Sequence, residues 1–355
     1  MPGADVVVQR LHHRQNRRLR LVPEVARPRF GRAEVWVESP LQLLSAIEAH
    51  GAGLLGTSTL IRPRGGAAGM DTTVQALMAN APEGVEFAAA GLEVPSVRTK
   101  GIDRWVTGDA YSGRIQRALL APSAAGEVVI LDDGLATVNL LATLTRDRPT
   151  PLVRARSTPR ATRSMLGLAA WYRLRLLARQ GKLMVITALP MPLDVDRRFR
   201  RLGGNLEHHH FEWLGAQPVP ETFDEPTIVV GSAMAADGLI HEGPYTTWLE
   251  SLTEDGPLSY FPHRREHPDF LARLGEHPLV RIRPNTVPVE MRLRGLRSGQ
   301  TVRALPSTVL PSLRLLLSGN GVAIRGHAVP EDWWTDAANP ALRAHLSSSL
   351  EGSST

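Results

Sequence analysis

The sequence predicts an α/β protein with two facing Rossmann-like domains, each a parallel sheet covered by helices. Three observations predict it. The chain has 355 residues, more than one hydrophobic core usually serves, so two domains are the first expectation. Short apolar runs alternate with segments of helical periodicity, as parallel strands joined by crossover helices require. That alternation occurs twice, on either side of the proline-rich stretch Gln217–Pro226. An apolar content of 43% and a charged content of 21% exclude a chain that is disordered throughout.

Residues 1–32 read as a basic tail. Arg10, Arg14, Arg17, Arg18 and Arg20 crowd with His12 and His13 and little apolar periodicity. Such a run is a solvated arm or a contact for anionic lipid. The first domain spans residues 33–222. Its opening strand is Ala33–Val37, followed by a helix that Ser39 caps and Pro40 starts, with Leu43, Leu44 and Ile47 at helical spacing. Strands are expected at Ser58–Arg62, Val85–Ala88, Glu127–Leu131 and Lys182–Thr187, and helices near Thr72–Ala79, Tyr111–Leu120 and Arg163–Arg179. Pro190 and Pro192 then break the pattern. The second domain spans residues 223–346 and opens on Thr227–Gly231. Strands near 258–261, 279–282, 300–304 and 321–324 alternate with helices near 244–253, 267–274, 288–296 and 307–317. Residues 347–355 are polar and expected to fray.

Composition excludes several classes. With no cysteine there is no disulfide framework, thiolate metal site or cysteine nucleophile. No stretch approaches the roughly 20 apolar residues of a membrane span, and the N-terminal arginines have no apolar segment behind them, so a cytoplasmic protein is expected. The formal charge is +6, and Lys100 and Lys182 are the only lysines. Arginine suits a phosphate or carboxylate ligand, though a source-wide composition bias is the readier explanation of the count. The basic residues are scattered and lack aromatic platforms, so a nucleic-acid groove is not expected.

Three segments could carry chemistry. Val128–Leu131 is a buried strand that ends in Asp132-Asp133-Gly134. Adjacent carboxylates raise each other's pKa, which suits one as a general base, and Gly134 permits a sharp turn. The same pair could simply cap a helix. Leu258–Phe261 ends in Pro262-His263-Arg264-Arg265-Glu266, where a histidine among arginines could hold an anion, protonate a leaving group, or cap a surface turn. Ser307 and Thr308 open a helix, a natural phosphate site or a plain N-cap. Between these last two, Glu290 starts another helix.

The order of these segments resembles the bacterial sialyltransferases, including the capsule polysialyltransferases and lipooligosaccharide sialyltransferases. Those families share an acidic-acidic-Gly motif, a His-Pro type motif and a Ser/Thr motif, here Asp132-Asp133-Gly134, Pro262-His263-Arg264 and Ser307-Thr308. The opening Val37–Leu44 and the run Val230-Gly231-Ser232 are also similar, and the likeness covers about residues 33–325. Arg264 stands where the family has proline; true His-Pro pairs occur at His267-Pro268 and His277-Pro278. The resemblance implies a glycosyltransferase B-type fold and an inverting, metal-independent transfer of sialic acid, from its cytidine monophosphate (CMP) ester to a glycan or glycolipid acceptor of a cell-surface polysaccharide. No further cofactor is implied. Asp133, beside Asp132, would be the base, and His263 would donate to the departing phosphate, with Ser307 and Thr308 holding its oxygens. Glu290 would accept from the ribose hydroxyls. Pro262 and Arg264 would line the donor site, and the backbone at Gly231 and Ser232 would meet cytosine. Ser39, Gln42 and Gly134 would face the sugar or acceptor.

Other readings stand beside this one. The donor could be another CMP-activated acid sugar such as Kdn or Kdo. A sugar-nucleotide epimerase can share the two-domain plan, but its diphosphate calls for more anion-binding groups. A non-catalytic anion-binding protein would also use the arginines. His208-His209-His210 has no carboxylate at ligand spacing, so metal binding there is disfavoured. The helix around Trp171-Tyr172-Arg173 is either a core helix with a basic face or a contact for an anionic membrane.

Overall fold

The computed structural model describes residues 31–96, 101–121, 126–132, 134–154, 160–284, 286–347 and 350. The basic N-terminal tail therefore lies outside the described residues, apart from its last two positions.

The first domain runs β1 (Arg32–Val37), α1 (Pro40–Gly51), β2 (Ser58–Pro63), α2 (Met70–Met78), β3 (Val85–Phe87), β4 (Arg104–Thr107), α3 (Gly113–Leu120), β5 (Glu127–Leu131), α4 (Leu135–Leu144), α5 (Ala161–Arg179), β6 (Leu183–Thr187), α6 (Leu193–Arg201), β7 (Asn205–His208) and α7 (Glu212–Ala216). Its seven strands are parallel in the order β3-β2-β1-β4-β5-β6-β7. One core, with Trp36, Trp105, Ile130 and Leu174, fills one face of this sheet. Val35, Leu43, Ile47 and Val129 pack the other. Burial on both faces explains why the central strands are continuous apolar runs.

The second domain runs β8 (Thr227–Val230), α8 (Glu242–Ser251), β9 (Leu258–Phe261), α9 (Pro268–Gly275), β10 (Val280–Ile282), α10 (Val289–Arg292), β11 (Thr301–Ala304), α11 (Val309–Leu316), β12 (Ala323–Gly326) and α12 (Pro340–Ser347). Its five strands are parallel in the order β10-β9-β8-β11-β12. Each sheet reverses its strand order once, between β1 and β4 in the first and between β8 and β11 in the second. Crevices open at such points beyond the carboxyl ends of the strands. The molecule is thus two Rossmann-like domains facing across a cleft, the glycosyltransferase B-type arrangement.

Two strands escape the apolar pattern. β4 places Arg104 inside the sheet, where its Nε lies 2.8 Å from a Glu127 carboxylate oxygen, both side chains being buried. β7 carries a single apolar residue, Leu206. After Pro192, which stands just before α6, the chain resumes its helix–strand alternation. The expected helix at 288–296 is shorter: α10 ends at Arg292 and a 3₁₀ turn continues to Gly295. No helix among the described residues is long and apolar enough to cross a membrane.

Candidate active site

The strand ends of both domains meet at a cavity of about 520 Å³, within the usual size of a small-molecule site. From the first domain it is lined by Ser39, Pro40 and Leu41, which follow β1, and by Ala68, Gly69 and Thr72 around the start of α2. The second domain contributes Val230 and Gly231 at the end of β8, Pro262, His263 and Arg264 after β9, residues 286–290 after β10, and Ser307, Thr308 and Val309 after β11.

On the first-domain wall, Ser39 caps α1 by accepting from the Gln42 N–H at 3.3 Å, with Pro40 in the first turn. Gln42 turns away from the cavity. It is buried, its Oε1 accepts from the Glu38 N–H at 2.7 Å, and it fills the space beside Gly108. A Cβ at Gly108 would lie 2.2 Å from the Gln42 Cδ. Gln42 therefore locks the β1 turn to the residue after β4, and it is not among the side chains that line the cavity.

Asp132 is buried at the end of β5. Its Oδ1 accepts from the Gly134 N–H at 2.9 Å, and its Oδ2 accepts from the Thr187 hydroxyl at 2.9 Å and the Ala188 N–H at 3.2 Å. Burial raises its pKa above the usual carboxylate value, against the lowering effect of these donors. Asp132 thus ties the β5 turn to the end of β6. Asp133 lies outside the described residues. Gly134 adopts φ 71°, and a Cβ there would meet the Thr308 side chain at 2.8 Å. Only glycine allows the β5–α4 turn to approach the start of α11 this closely.

The second-domain wall is held by Glu266. Its carboxylate accepts from the His263 N–H at 2.6 Å and from the Tyr260 hydroxyl, which is itself 2.9 Å from the Tyr245 hydroxyl. Glu266 also bonds the Ser232 backbone, and burial pushes its carboxyl up to about 7. It therefore joins the turn after β8 to the turn after β9. Gly231 sits against this knot: a Cβ would lie 2.5 Å from Glu266 Oε2, 2.7 Å from the Tyr260 hydroxyl and 2.9 Å from the His263 nitrogen. The Ser232 side chain stays local and accepts from the Met234 N–H at 3.2 Å, away from the cavity lining.

His263 is half-buried, and its Nδ1 accepts from the Arg265 N–H at 3.2 Å. A neutral ring so held carries its proton on Nε2, as a donor. Neither true His-Pro pair enters the cavity: His267 is an exposed cap on α9, and His277 Nδ1 accepts from the Leu279 N–H in the turn before β10. Ser307 Oγ accepts from the Val309 N–H at 3.3 Å, and Thr308 stands at the N-terminus of α11, so the positive end of that helix faces the cavity.

Glu290 lies in the first turn of α10 and is almost wholly buried. Burial first, with repulsion from Asp132, raises its carboxyl to about 7. The two carboxylates thus sense one another across the domain boundary. No cluster of three or more histidine, aspartate or glutamate side chains placed to hold a metal occurs among the described residues. His209 is fully buried against Phe211, and burial pushes its pKa down to about 4.

In the sequence Glu266 carries no evident role at the end of the run after β9. The signal available was a lone carboxylate three residues beyond a strand-end histidine, adjacent to a glycine-ended strand only in space.

No protein-family description matches the chain, and no curated protein matches its sequence. Among solved structures it is similar to the Escherichia coli heptosyltransferase WaaC with ADP-2-deoxy-2-fluoro heptose, at 12% identity and a TM-score of 0.39, covering 91% of this chain and 100% of that one. It is similar to the UDP-N-acetylglucosamine 2-epimerase from Rickettsia bellii, at 9% identity and 0.42, covering 91% and 88%. It is also similar to Acinetobacter baumannii MurG, at 12% identity and 0.32, covering 91% and 94%. Likeness at this level does not speak to the reaction.

Proposed function

We propose that the protein is an inverting glycosyltransferase that moves sialic acid, or a related nonulosonic acid, from its CMP ester to a glycan acceptor without a metal. The observation that carries the reading is convergence. Pro262-His263-Arg264, Glu290 and Ser307-Thr308 come from three separate stretches of chain, and all line one cavity opposite Ser39.

In this reading the acceptor hydroxyl attacks the anomeric carbon of the sugar as its bond to the CMP phosphate breaks. Asp133 takes the hydroxyl proton. Asp132 supports it from beside, through its bonds to Gly134, Thr187 and Ala188 that brace the end of β5. His263 gives the Nε2 proton to the leaving phosphate, while the start of α11, with Ser307 and Thr308, stabilises the phosphate charge. One phosphate needs fewer cations than a diphosphate, which favours CMP over the carriers an epimerase uses. Glu290 receives the ribose hydroxyls, and the backbone at Gly231 and Ser232 meets the cytosine.

The test is calorimetric binding of CMP, UMP and GMP, followed by transfer from several cytidine-activated acid sugars with mass measurement of the glycan. CMP should bind in the presence of EDTA and raise the melting temperature, as a ligand specific for the folded state must. Transfer should survive the chelator. Preference for a uridine or guanosine nucleotide, or activity restored only by a divalent cation, would refute the assignment.

A further inference from the structure

Away from the cleft, α3 and α5 pack side by side on the first domain. The inner stripe of α5, with Ala170, Leu174 and Leu177, enters the core. Its outer stripe is apolar as well: Met165 is 71% exposed, Tyr172 54% and Leu176 45%, and Leu120 at the end of α3 is 41% exposed. These are four of the nine large apolar side chains exposed among the described residues. Positions 165, 172 and 176 share one helix face, along roughly 17 Å of axis at 1.5 Å per residue.

The charge around the stripe has one sign. Neither 111–121 nor 160–182 contains an aspartate or glutamate, while Arg114, Arg117, Arg160, Arg173, Arg179 and Lys182 belong to them. Arg117 and Arg179 are exposed. Arg173 donates to the Leu119 carbonyl at 3.2 Å, holding its head between the helices. The acidic groups nearby are Asp147, whose charge acts on Arg175, and Asp109, which is buried and paired with Arg154.

We infer that this face docks on an anionic lipid bilayer, with Met165, Tyr172, Leu176 and Leu120 entering the headgroup boundary and the arginines meeting lipid phosphates. Apolar side chains among cations need an apolar phase beneath an anionic one, which a bilayer surface supplies. Nucleic acid offers phosphate but no hydrocarbon, and Tyr172 alone makes no stacking platform. A symmetric second copy would set arginine against arginine. The inference is independent of the chemistry read from the cleft.

Full-length protein should float with vesicles of 70% phosphatidylcholine and 30% phosphatidylglycerol, and stay in solution with phosphatidylcholine alone. Arg117→Gln with Arg179→Gln should lower partitioning roughly 10-fold or more, since each cation near such a surface is worth about a factor of five. Met165→Ser with Tyr172→Ser should lower it comparably and leave residual binding more sensitive to salt. Both variants should keep the wild-type circular dichroism and CMP response, because the cleft is built by other elements. Equal flotation with neutral vesicles would overturn the inference. So would unchanged flotation in both variants, which would place the lipid contact elsewhere, in the basic tail for example. Absence of flotation, with poly(U) binding lost in the arginine variant or a dimer lost in the serine variant, would assign the face to nucleic acid or to a second copy.

Discussion

Asp133 and His263 divide the proposed reaction between the two domains, and each predicts its own loss. Asp133→Asn removes the base, so single-turnover transfer should fall at least about 100-fold, the usual scale of general acid–base catalysis. CMP affinity by calorimetry should change little, because the base addresses the acceptor. Wild-type turnover in that variant would dismiss the role. His263→Ala should reduce transfer with a good sugar donor by about 100-fold as well. Its loss should shrink with a donor whose leaving group needs no proton, and an equal loss with both would contradict the donor role. Residues at strand ends were legible in the sequence because an apolar run stops where the chain meets the cleft. Gln42 and the Ser232 backbone entered through the family resemblance alone, and in the fold both side chains make local bonds that the sequence does not announce. Glu266 was not legible as a partner, because its contacts to Tyr260, His263 and Ser232 exist only once β8 and β9 lie side by side.

At the scale of elements, the sharpest constraint is where the β5–α4 turn touches the start of α11. Gly134 combines φ 71° with a potential Cβ contact of 2.8 Å to Thr308. Gly134→Ala is strained in its backbone and must push Thr308 aside, so a change in the first domain should weaken a ligand of the second. CMP affinity by titration should fall about 10-fold, with destabilisation of about 1–3 kcal/mol in urea as overpacking and a positive φ entail. Unchanged CMP affinity would show that Thr308 does not meet the phosphate. Strands such as β5 and β6 were readable because both faces are buried and each carries four consecutive apolar residues, Val128–Leu131 and Leu183–Ile186. β4 was not, because its first position is Arg104, neutralised by Glu127 from the next strand. β7 was missed for a related reason: at the sheet edge, with only Leu206 buried, it needs no apolar run.

At the scale of the whole molecule, three carboxyls among the described residues are raised to about 7 by burial, and each sits where separate segments are joined. Glu48 in α1 accepts from the Trp213 N–H at 3.2 Å and the Leu214 N–H at 2.7 Å at the start of α7. The chain then enters the linker, whose Gln217 carbonyl is held by Arg294 of the second domain at 2.7 Å. Glu266 joins two turns of the donor wall, and Glu290 faces Asp132 from the other side of the cleft. In the unfolded chain these carboxyls return to about 4.5. Between 4.5 and 7 the native state therefore binds more protons than the unfolded state. The stability they contribute is full below the lower value and is lost as pH rises through the upper one. His209 acts in the opposite sense. Its pKa falls from 6.5 unfolded to about 4 folded, so its contribution is full above the higher value and is lost as pH falls toward the lower. Burial lowers His208 and His327 in the same sense as His209, and raises Asp132 and Glu127 in the same sense as the three carboxyls, so the carboxyls outweigh the imidazoles between pH 5 and 7. The melting temperature should therefore fall by on the order of 5 °C from pH 5.5 to pH 8. Glu290→Gln should flatten that decline by removing one ionisation, while weakening CMP binding. Calorimetric scans of both proteins over this range decide the matter, and a wild-type melting temperature that rises toward pH 8 would mean that these carboxyls are already charged in the folded cleft.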